Sequence, residues 1–214
     1  MTQPPGMLAR GPWRPEQVEV RWREDVYEPG AASERAADHA VSDLRGRGSP
    51  AHDGMATRLA GWSTDAGRLM LELQPVRWAL RLLDDASGSM TALCVVRAED
   101  GRWLAGRRAG WVSTWANRWA LGAGGAVDIG ESPARTLARE LEEEWRLEPE
   151  RLTVEALVRL QNGMAMLVGL ATVPAGCEPV PDHEHDDWAW WPADVERWPD
   201  EADERLKLMG RLLS

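Results

Sequence analysis

Apolar and polar residues alternate in several short segments of the chain, and this period of two is typical of half-buried β-strands. A longer segment without glycine or proline, residues 31–45, places Ala37, Val41 and Leu44 on one helical face. Two turn sequences, Asp100-Gly101 and Asn162-Gly163, lie between apolar segments and predict hairpins. The patterns predict strands over residues 18–22, 91–97, 103–107, 152–161 and 164–173, further apolar segments over 69–73 and 76–83, and helices over 31–45, 133–145 and 201–213. Because strands and helices mix without regular β-α-β alternation, the predicted fold class is α+β.

Glycine and proline divide the chain into three parts. Prolines and glycines, which interrupt helices and strands, are frequent at the start of the chain and predict a flexible tail without regular structure over residues 1–16. These residues are Pro4, Pro5, Gly6, Gly11, Pro12 and Pro15. A small N-terminal extension with strands and a helix is predicted over residues 17–88, with a glycine-rich loop at 45–54. The larger domain is predicted over residues 89–214.

The composition is that of a globular protein, and it excludes several functions. The chain has 214 residues, of which 43% are hydrophobic and 28% charged, and its apolar runs are shorter than the ~20 residues of a membrane helix. The net charge of -10 repels phosphate backbones, so we expect neither a nucleic acid nor a membrane as partner. The two cysteines give no disulfide framework, and the first residues lack the apolar core of a signal peptide, so we expect a cytoplasmic protein.

The predicted helix over residues 133–145 carries the candidate chemistry. Ser132 stands at its N-cap position, and a proline occupies its first helical position. Glu140, Glu143 and Glu144 have the i, i+3, i+4 spacing and share one face, where like charges cost roughly a few tenths of a kcal/mol per pair. A bound divalent cation makes the grouping of the three carboxylates favourable instead of unfavourable, and clustered carboxylates suit Mg²⁺ or Mn²⁺. A solvated acidic face on a surface helix is the alternative interpretation.

Residues around these glutamates fit the same chemistry. Arg139 precedes Glu143 by four residues and can hold its carboxylate by a salt bridge. Upstream, Gly122, Gly124 and Gly125 let the backbone approach a metal or a phosphate, and a glycine carbonyl can itself be a ligand.

The complete spacing resembles the signature of the Nudix hydrolase family. Gly125, Glu131 and residues 139–147, RELEEEWRL, match the pattern G-x5-E-x7-R-E-U-x-E-E-x-G-U, in which U is aliphatic. The one departure is Arg146, which stands where the family has its last glycine. The resemblance implies an α/β/α sandwich with a mixed β-sheet. It also implies hydrolysis of the pyrophosphate bond in a nucleoside diphosphate derivative, such as a nucleotide sugar, ADP-ribose, a dinucleotide or a noncanonical nucleoside triphosphate.

The resemblance also assigns roles to individual residues. Glu140, Glu143 and Glu144 are the implied ligands of Mg²⁺ or Mn²⁺, with the Gly124 carbonyl as a further ligand. The three glutamates and Arg139, which orients a glutamate, form the implied catalytic set. A water made more acidic by the cation would attack one phosphorus of the pyrophosphate.

Supporting roles fall to residues beside the catalytic set. Gly125 and Glu131 are implied to support the loop and the start of the helix. The general base is either Glu140 or a carboxylate outside the motif, and the candidates outside it are Glu184, Asp186 and Asp187.

Aromatic and histidine residues leave two interpretations each. Trp111 and Trp115, with Trp119 beyond them, offer indole rings on which a substrate base could stack, and packing in the core is the alternative. His183 and His185, among the acids of residues 182–187, predict either a solvated segment or a dedicated metal site.

Two other functions remain open. A non-catalytic, nucleotide-sensing Nudix module would keep the pocket without the reaction. An isoprenyl diphosphate isomerase is suggested by residues 119–131, which lack a proline before the paired glycines, but that chemistry needs a reactive cysteine. Cys94 lies in a predicted strand and Cys177 in a predicted loop. The expected partner is a small nucleoside diphosphate derivative, and we expect the N-terminal extension to cover the pocket or to form a homodimer interface.

Overall fold

The structure, a computed structural model, describes residues 6–48 and 53–214. The strands are β1 (Met7–Trp13), β2 (Val18–Trp22), β3 (Met55–Asp65), β4 (Arg68–Arg77), β5 (Met90–Ala98), β6 (Trp103–Arg108), β7 (Trp119–Leu121), β8 (Ala123–Ala126), β9 (Arg151–Arg159), β10 (Ala165–Val173) and β11 (His185–Trp191). The α-helices are α1 (Ala31–Gly46), α2 (Pro133–Trp145) and α3 (Glu204–Leu213), and a 3-10 helix, Trp78–Leu82, follows β4. Residues 49–52 of the predicted loop lie outside the described residues.

The larger sheet has the strand order β1-β9-β10-β5-β6-β11, with β7 beside β6 and β8 beside β5. Strands β10 and β5 pair in parallel, whereas β9 and β10 form the predicted antiparallel hairpin. The second predicted hairpin, β5 with β6, is also antiparallel. The α+β class with a mixed sheet is therefore confirmed.

Helices cover both faces of this sheet. Leu137 and Leu141 of α2 pack in one apolar cluster with Cys94 of β5. On the opposite face, Leu206 of α3 packs with Val95. Neighbouring residues of β5 thus face different helices, as the alternation of side chains along a strand requires. The result is the α/β/α sandwich that the family resemblance implies.

The N-terminal extension forms a second, three-stranded sheet in the order β2-β4-β3. Leu69 and Leu71 of β4 belong to the same apolar cluster as Leu137 of α2, so the small sheet packs on the side of the larger sheet that α2 covers. Helix α1 buries the predicted face of Ala37, Val41 and Leu44. The division of the chain at residue 88 remains a prediction.

The prediction of a flexible tail is wrong where β1 lies. This strand pairs antiparallel with β9 at the edge of the larger sheet, and it buries Ala9 and Trp13. Pro12 is compatible with an edge strand, which has a side without ladder hydrogen bonds. A Cβ added at Gly11 would lie 2.3 Å from the carbonyl oxygen of Val154, so glycine permits this close approach. The first five residues lie outside the described part of the chain.

The C-terminal helix begins later than predicted. Asp203 caps α3 by accepting hydrogen bonds from the backbone N–H groups of Arg205 and Leu206. This cap fixes the first turn at Glu204 and leaves residues 201–203 outside the helix. Within residues 6–48 and 53–214, no helix has the length and apolar character needed to cross a bilayer.

Candidate active site

Helix α2 has the predicted bounds and carries the acidic residues of the motif. Ser132 occupies the N-cap position, but its side chain makes no capping hydrogen bond with the residues that the structure describes. The Thr136 hydroxyl instead donates to Glu131 Oε2 at 2.8 Å, which ties the helix start to the preceding loop. At the other end, Trp145 is fully buried, and its indole N–H donates to the Gly122 carbonyl at 3.1 Å.

The three glutamates of the motif lie in different environments. Glu140 and Glu144, one helical turn apart, are buried against the sheet, with 9% and 4% of their surface exposed. The side chain of Glu143 is 57% exposed. Among the described residues, no three His, Cys, Asp or Glu side chains are grouped closely enough to hold a cation together. Like charges repel one another, and the three carboxylates lie close to arginine side chains instead of to one another.

Arg139 connects the glutamates of the motif, and its guanidinium contacts three of them. Nη1 lies 2.8 Å from Glu140 Oε1 and 2.9 Å from Glu143 Oε2. Nε lies 3.1 Å from Glu131 Oε1. Burial raises the pKa of Glu131, but hydrogen bonds from Arg139 and Thr136 outweigh it and hold that pKa below its usual value. Arg139 thus contacts the glutamates that the family resemblance implies it orients, and that role stays a prediction.

Glu140 lies against the glycine loop. A Cβ added at Gly125 would lie 2.2 Å from Glu140 Oε1, so the missing side chain makes room for this carboxylate. The Gly125 carbonyl accepts a hydrogen bond from the Thr91 hydroxyl at 2.6 Å. Burial raises the pKa of Glu140 to about 7, although Arg139 acts in the opposite direction.

Glu144 is the more deeply buried carboxylate. Its Oε1 accepts a hydrogen bond from the Gly124 N–H at 2.9 Å. Its Oε2 is buried without a hydrogen-bond partner among the described residues. Arg108 Nη1 and His185 Nε2 each lie 3.6 Å from that oxygen. Burial raises the pKa of Glu144 to about 9, because the nearby charge of Arg108 offsets only part of the cost of keeping a buried carboxylate charged.

This donor set fits a hard divalent cation. Glu144 Oε2 has a free lone pair in a buried position, and the carboxylate of Glu140 lies one turn away on the same face. Carboxylate and carbonyl oxygens are the ligands that Mg²⁺ prefers. A buried carboxylate with too little positive charge around it gains most from such a cation. The ligand roles of Glu140, Glu143, Glu144 and the Gly124 carbonyl all remain predictions.

A second group of residues approaches Glu144 from β6 and the start of β11. Arg108 Nη2 lies 2.8 Å from Glu184 Oε2, so Arg108 links this carboxylate to Glu144. Glu184, one of the candidate bases outside the motif, is thereby brought close to the motif glutamates. Asp186 and Asp187 are exposed, and Asp187 accepts a hydrogen bond from the Trp188 N–H at 2.8 Å.

The two histidines have different fates. The side chain of His183 is 79% exposed, as the solvated interpretation predicts. The ring of His185 is buried, with its centroid 4.4 Å from that of Trp145 and Nδ1 3.2 Å from Asp182 Oδ1. Burial lowers the pKa of His185. Sequence reasoning missed His185 and Arg108 as neighbours of Glu144, although the start of an aromatic strand at residue 185 was a usable signal for the histidine.

The tryptophans upstream of the motif are divided between surface and core. Trp111 is 36% exposed and stacks on His183, with ring centroids 5.2 Å apart and planes 13° apart. Trp115 is 40% exposed. Trp119 packs in the cluster beneath α3, 5.5 Å from Trp191, which agrees with the core interpretation for this residue.

Arg146 takes the place of the family glycine at the end of α2 without loss of the turn. Its backbone is left-handed, with φ 53° and ψ 38°, and its N–H donates to the Glu142 carbonyl at 3.0 Å. A non-glycine residue in this conformation costs about 1 kcal/mol. The helix therefore ends where a glycine would end it, at some cost in stability.

Neither cysteine has the properties of a reactive thiol. Cys94 is fully buried, and burial raises the pKa of its thiol to about 12. Burial also raises the pKa of the half-buried Cys177. A thiol with a raised pKa is a poor nucleophile, so the cysteine that an isomerase would need is not supplied by either position.

Comparison with known proteins supports the interpretation of this site. The NUDIX domain family matches residues 89–210, which is more than half of the chain. The chain belongs to the Nudix hydrolase family. The resemblance found in the sequence is thereby confirmed. A search of the curated proteins finds no match.

Several solved structures are similar to the chain. DR0079 from Deinococcus radiodurans has 16% identity and a TM-score of 0.52, over 67% of this chain and 85% of its own. The NUDIX domain of Shewanella oneidensis NrtR, complexed with ADP ribose, has 21% identity and a TM-score of 0.46, over 59% and 88%. An Ap4A hydrolase from C. elegans has 23% identity and a TM-score of 0.45, over 57% and 92%. The first of these likenesses supports a shared fold.

Proposed function

We propose that this Nudix protein hydrolyses the pyrophosphate bond of a small nucleoside diphosphate derivative and uses Mg²⁺ or Mn²⁺ as cofactor. The observation that supports the proposal is the pair Glu140 and Glu144, buried one turn apart beside the glycine loop, with Glu144 Oε2 lacking a partner among the described residues. When bound, the cation supplies charge for the phosphate oxygens and makes a water more acidic.

The chain's own residues have separable tasks in this proposal. Glu140 and Glu144 hold the cation, with Glu143 and the Gly124 carbonyl as further ligands. Arg139 keeps Glu140 and Glu143 in place through contacts of 2.8 and 2.9 Å. These fixed positions let the site bind the cation without first ordering its ligands.

The general base is Glu140 or Glu184. Burial raises the pKa of Glu140 to about 7 in the protein without metal, so this carboxylate can take up a proton when it is not bound to the cation. Glu184, with 35% of its side chain exposed, is the candidate outside the motif, and its pair with Arg108 keeps it beside Glu144. Asp186 and Asp187 are exposed, which argues against either of them as the general base.

The group attached to the pyrophosphate is proposed to stack on an indole ring. Trp111 is the better placed candidate, because Ala109, two residues before it, donates its N–H to the Glu184 carbonyl at 2.8 Å. Trp115 is the second candidate on the same loop. A purine or pyrimidine ring offers the flat apolar face that such a ring binds.

The experiment is an assay of a panel of compounds with Mg²⁺ or Mn²⁺, read by the phosphate-containing products. The panel contains nucleotide sugars, ADP-ribose, dinucleotides and noncanonical nucleoside triphosphates. We expect Glu144→Gln to lower turnover by roughly 100-fold or more. The matched control is Glu142→Gln on the solvent side of the same helix, where the side chain is 59% exposed, and it should keep full activity.

Two results would contradict the proposal. One is a Glu144→Gln variant as active as the unchanged protein. The other is tight nucleotide binding without any product at any metal concentration, which would indicate the non-catalytic sensing module. A cytoplasmic location and a homodimer remain predictions that this assay does not address.

A further inference from the structure

The ring of His185 is buried beside Glu144, the last glutamate of the motif. Only 1% of the His185 side chain is exposed. The ring packs on the indole of Trp145, with centroids 4.4 Å apart. Gly106 leaves room for this packing, because an added Cβ would lie 2.5 Å from His185 Cδ2 and 2.6 Å from Trp145 Cζ2. Packing therefore fixes the plane of the His185 ring.

The two ring nitrogens of His185 face different carboxylates. Nδ1 lies 3.2 Å from Asp182 Oδ1, whereas Nε2 lies 3.6 Å from Glu144 Oε2. A neutral imidazole carries one N–H and one lone pair, and we assign the N–H to Nδ1 because only its distance allows a hydrogen bond. The lone pair of Nε2 is then directed at Glu144 Oε2, which as a carboxylate oxygen has no proton to donate.

This arrangement is typical of a histidine that binds a metal ion. In such sites the other ring nitrogen usually donates to a carboxylate, which sets the tautomer and the ring orientation. Asp182 has this position, and its backbone N–H donates to the Glu144 carbonyl at 2.9 Å, which ties it to the end of α2. Two ligand atoms that each lie about 2.1 Å from one ion are roughly 3 to 3.5 Å apart. The separation of 3.6 Å between Nε2 and Oε2 is close to this value.

The charges around Glu144 Oε2 also favour a cation. This oxygen is buried without a hydrogen-bond partner among the described residues. Arg108 Nη1 lies 3.6 Å from it, but Nη2 of the same side chain lies 2.8 Å from Glu184 Oε2, so two carboxylates share one guanidinium. An ion bound at Glu144 Oε2 would supply the positive charge that this shared arginine does not.

We propose that His185 Nε2 and Glu144 Oε2 bind the same metal ion, so that the site takes a first-row transition-metal ion such as Mn²⁺ in preference to Mg²⁺. The inference rests on the proposed function, because it adds a nitrogen ligand to the oxygen ligands of the motif. Oxygen ligands suit Mg²⁺, whereas imidazole suits transition-metal ions. Two protein ligands are enough for an ion whose other positions are filled by water and by phosphate oxygens of the substrate.

The test is electron paramagnetic resonance of Mn²⁺ bound to the whole chain, without nucleotide. A nitrogen ligand modulates the electron spin echo of Mn²⁺, and oxygen ligands do not. We expect this nitrogen modulation in the unchanged protein and its loss in His185→Asn, whose amide can still donate to Asp182. The matched control is His183→Asn, which removes a histidine whose side chain is 79% exposed and should keep the modulation.

Metal affinity separates a ligand from a residue with a structural role. In calorimetric titrations, His185→Asn should bind Mn²⁺ about 10- to 100-fold more weakly, while its affinity for Mg²⁺ should change by less than about threefold. A site that is merely distorted by the substitution would lose affinity for both ions. Equal losses for Mn²⁺ and Mg²⁺ would therefore overturn the inference.

A second variant keeps the test decisive if His185→Asn does not fold. The other histidines of the chain are His39, His52 and His183. Replacing these three by asparagine leaves His185 as the only histidine, and the nitrogen modulation should persist. Labelling that histidine with ¹⁵N should change the modulation frequency. Absence of the modulation from this variant would overturn the inference.

The inference and the proposed function can fail separately. Hydrolysis of a compound of the panel by a protein that shows no nitrogen modulation with Mn²⁺ would overturn the inference alone. Nitrogen modulation from His185 without hydrolysis of any compound would contradict the proposed function and support the inference.

Discussion

Replacing Glu144 by glutamine is expected to stabilise the protein in the absence of metal at neutral pH. Burial raises the pKa of this carboxyl from the ordinary value of 4.5 to about 9. Its Oε2 has no hydrogen-bond partner among the described residues. Glutamine keeps an acceptor for the Gly124 N–H, which lies 2.9 Å from Glu144 Oε1, and removes the group that becomes charged on unfolding.

The magnitude follows from the two pKa values. Between pH 4.5 and about 9 the folded protein holds a proton at Glu144 that the unfolded chain has released, so the free energy of unfolding falls as the pH rises through this window. The loss reaches about 3 kcal/mol at pH 7 and is less than about 1 kcal/mol at pH 5. For a chain of this size, 3 kcal/mol corresponds to a shift in Tm of roughly 6 to 12 °C.

Thermal unfolding at pH 5 and pH 7, with a chelator present, measures this effect. The Tm of Glu144→Gln should exceed that of the unchanged protein at pH 7, and the difference should shrink at pH 5. Glu142→Gln is the matched control, because its exposed side chain, whose nearest ion-pair contact is with Arg146 at 4.0 Å, should change Tm little at either pH. A lower Tm for Glu144→Gln at pH 7, or the same gain at both values of pH, would refute the reasoning.

Three further predictions concern the same helix and its loop. Arg146→Gly should raise the free energy of unfolding by about 1 kcal/mol because glycine relieves the left-handed backbone, whereas Arg146→Ala should bring no gain in a denaturant titration. Gly125→Ala should displace Glu140 and lower turnover by roughly 100-fold, because the new Cβ would lie 2.2 Å from Glu140 Oε1. The control is Gly46→Ala, whose added Cβ meets open space among the described residues. Full activity of Gly125→Ala would contradict the geometry. Mg²⁺ should raise Tm more at pH 8 than at pH 5, because carboxylate ligands must lose their protons to bind it. Glu144→Gln should abolish most of this shift in Tm. An equal shift in the variant would exclude Glu144 as a ligand.

Elements with a local signal were predicted well from the sequence. The bounds of α2 follow from its proline at the first position and from its apolar period, and the β9–β10 hairpin follows from Asn162-Gly163. Strand β1 was missed because its pairing with β9 joins residues far apart in the chain. Taken alone, its prolines and glycines indicate a segment without regular structure. Only the pairing with β9 shows that they are compatible with a strand at the edge of the sheet.

The candidate site was predicted only in part for the same reason. Spacing places Glu140, Glu143 and Glu144 on one face, but it does not give the distance of each from the sheet. Two of the three are buried and the third is exposed. Arg108 and His185 reach the site from β6 and β11, through strand pairing that no short pattern reveals.

The large separation of β1 from β9 along the chain affects how the protein folds during synthesis. Translation releases β1 from the ribosome long before its partner β9, and domains fold as their segments emerge. Until then Ala9 and Trp13 lack the surface that covers them, and the edge of β1 is open to other chains. Nascent chains that stop short of β9 should therefore depend on chaperones more than chains that extend past it.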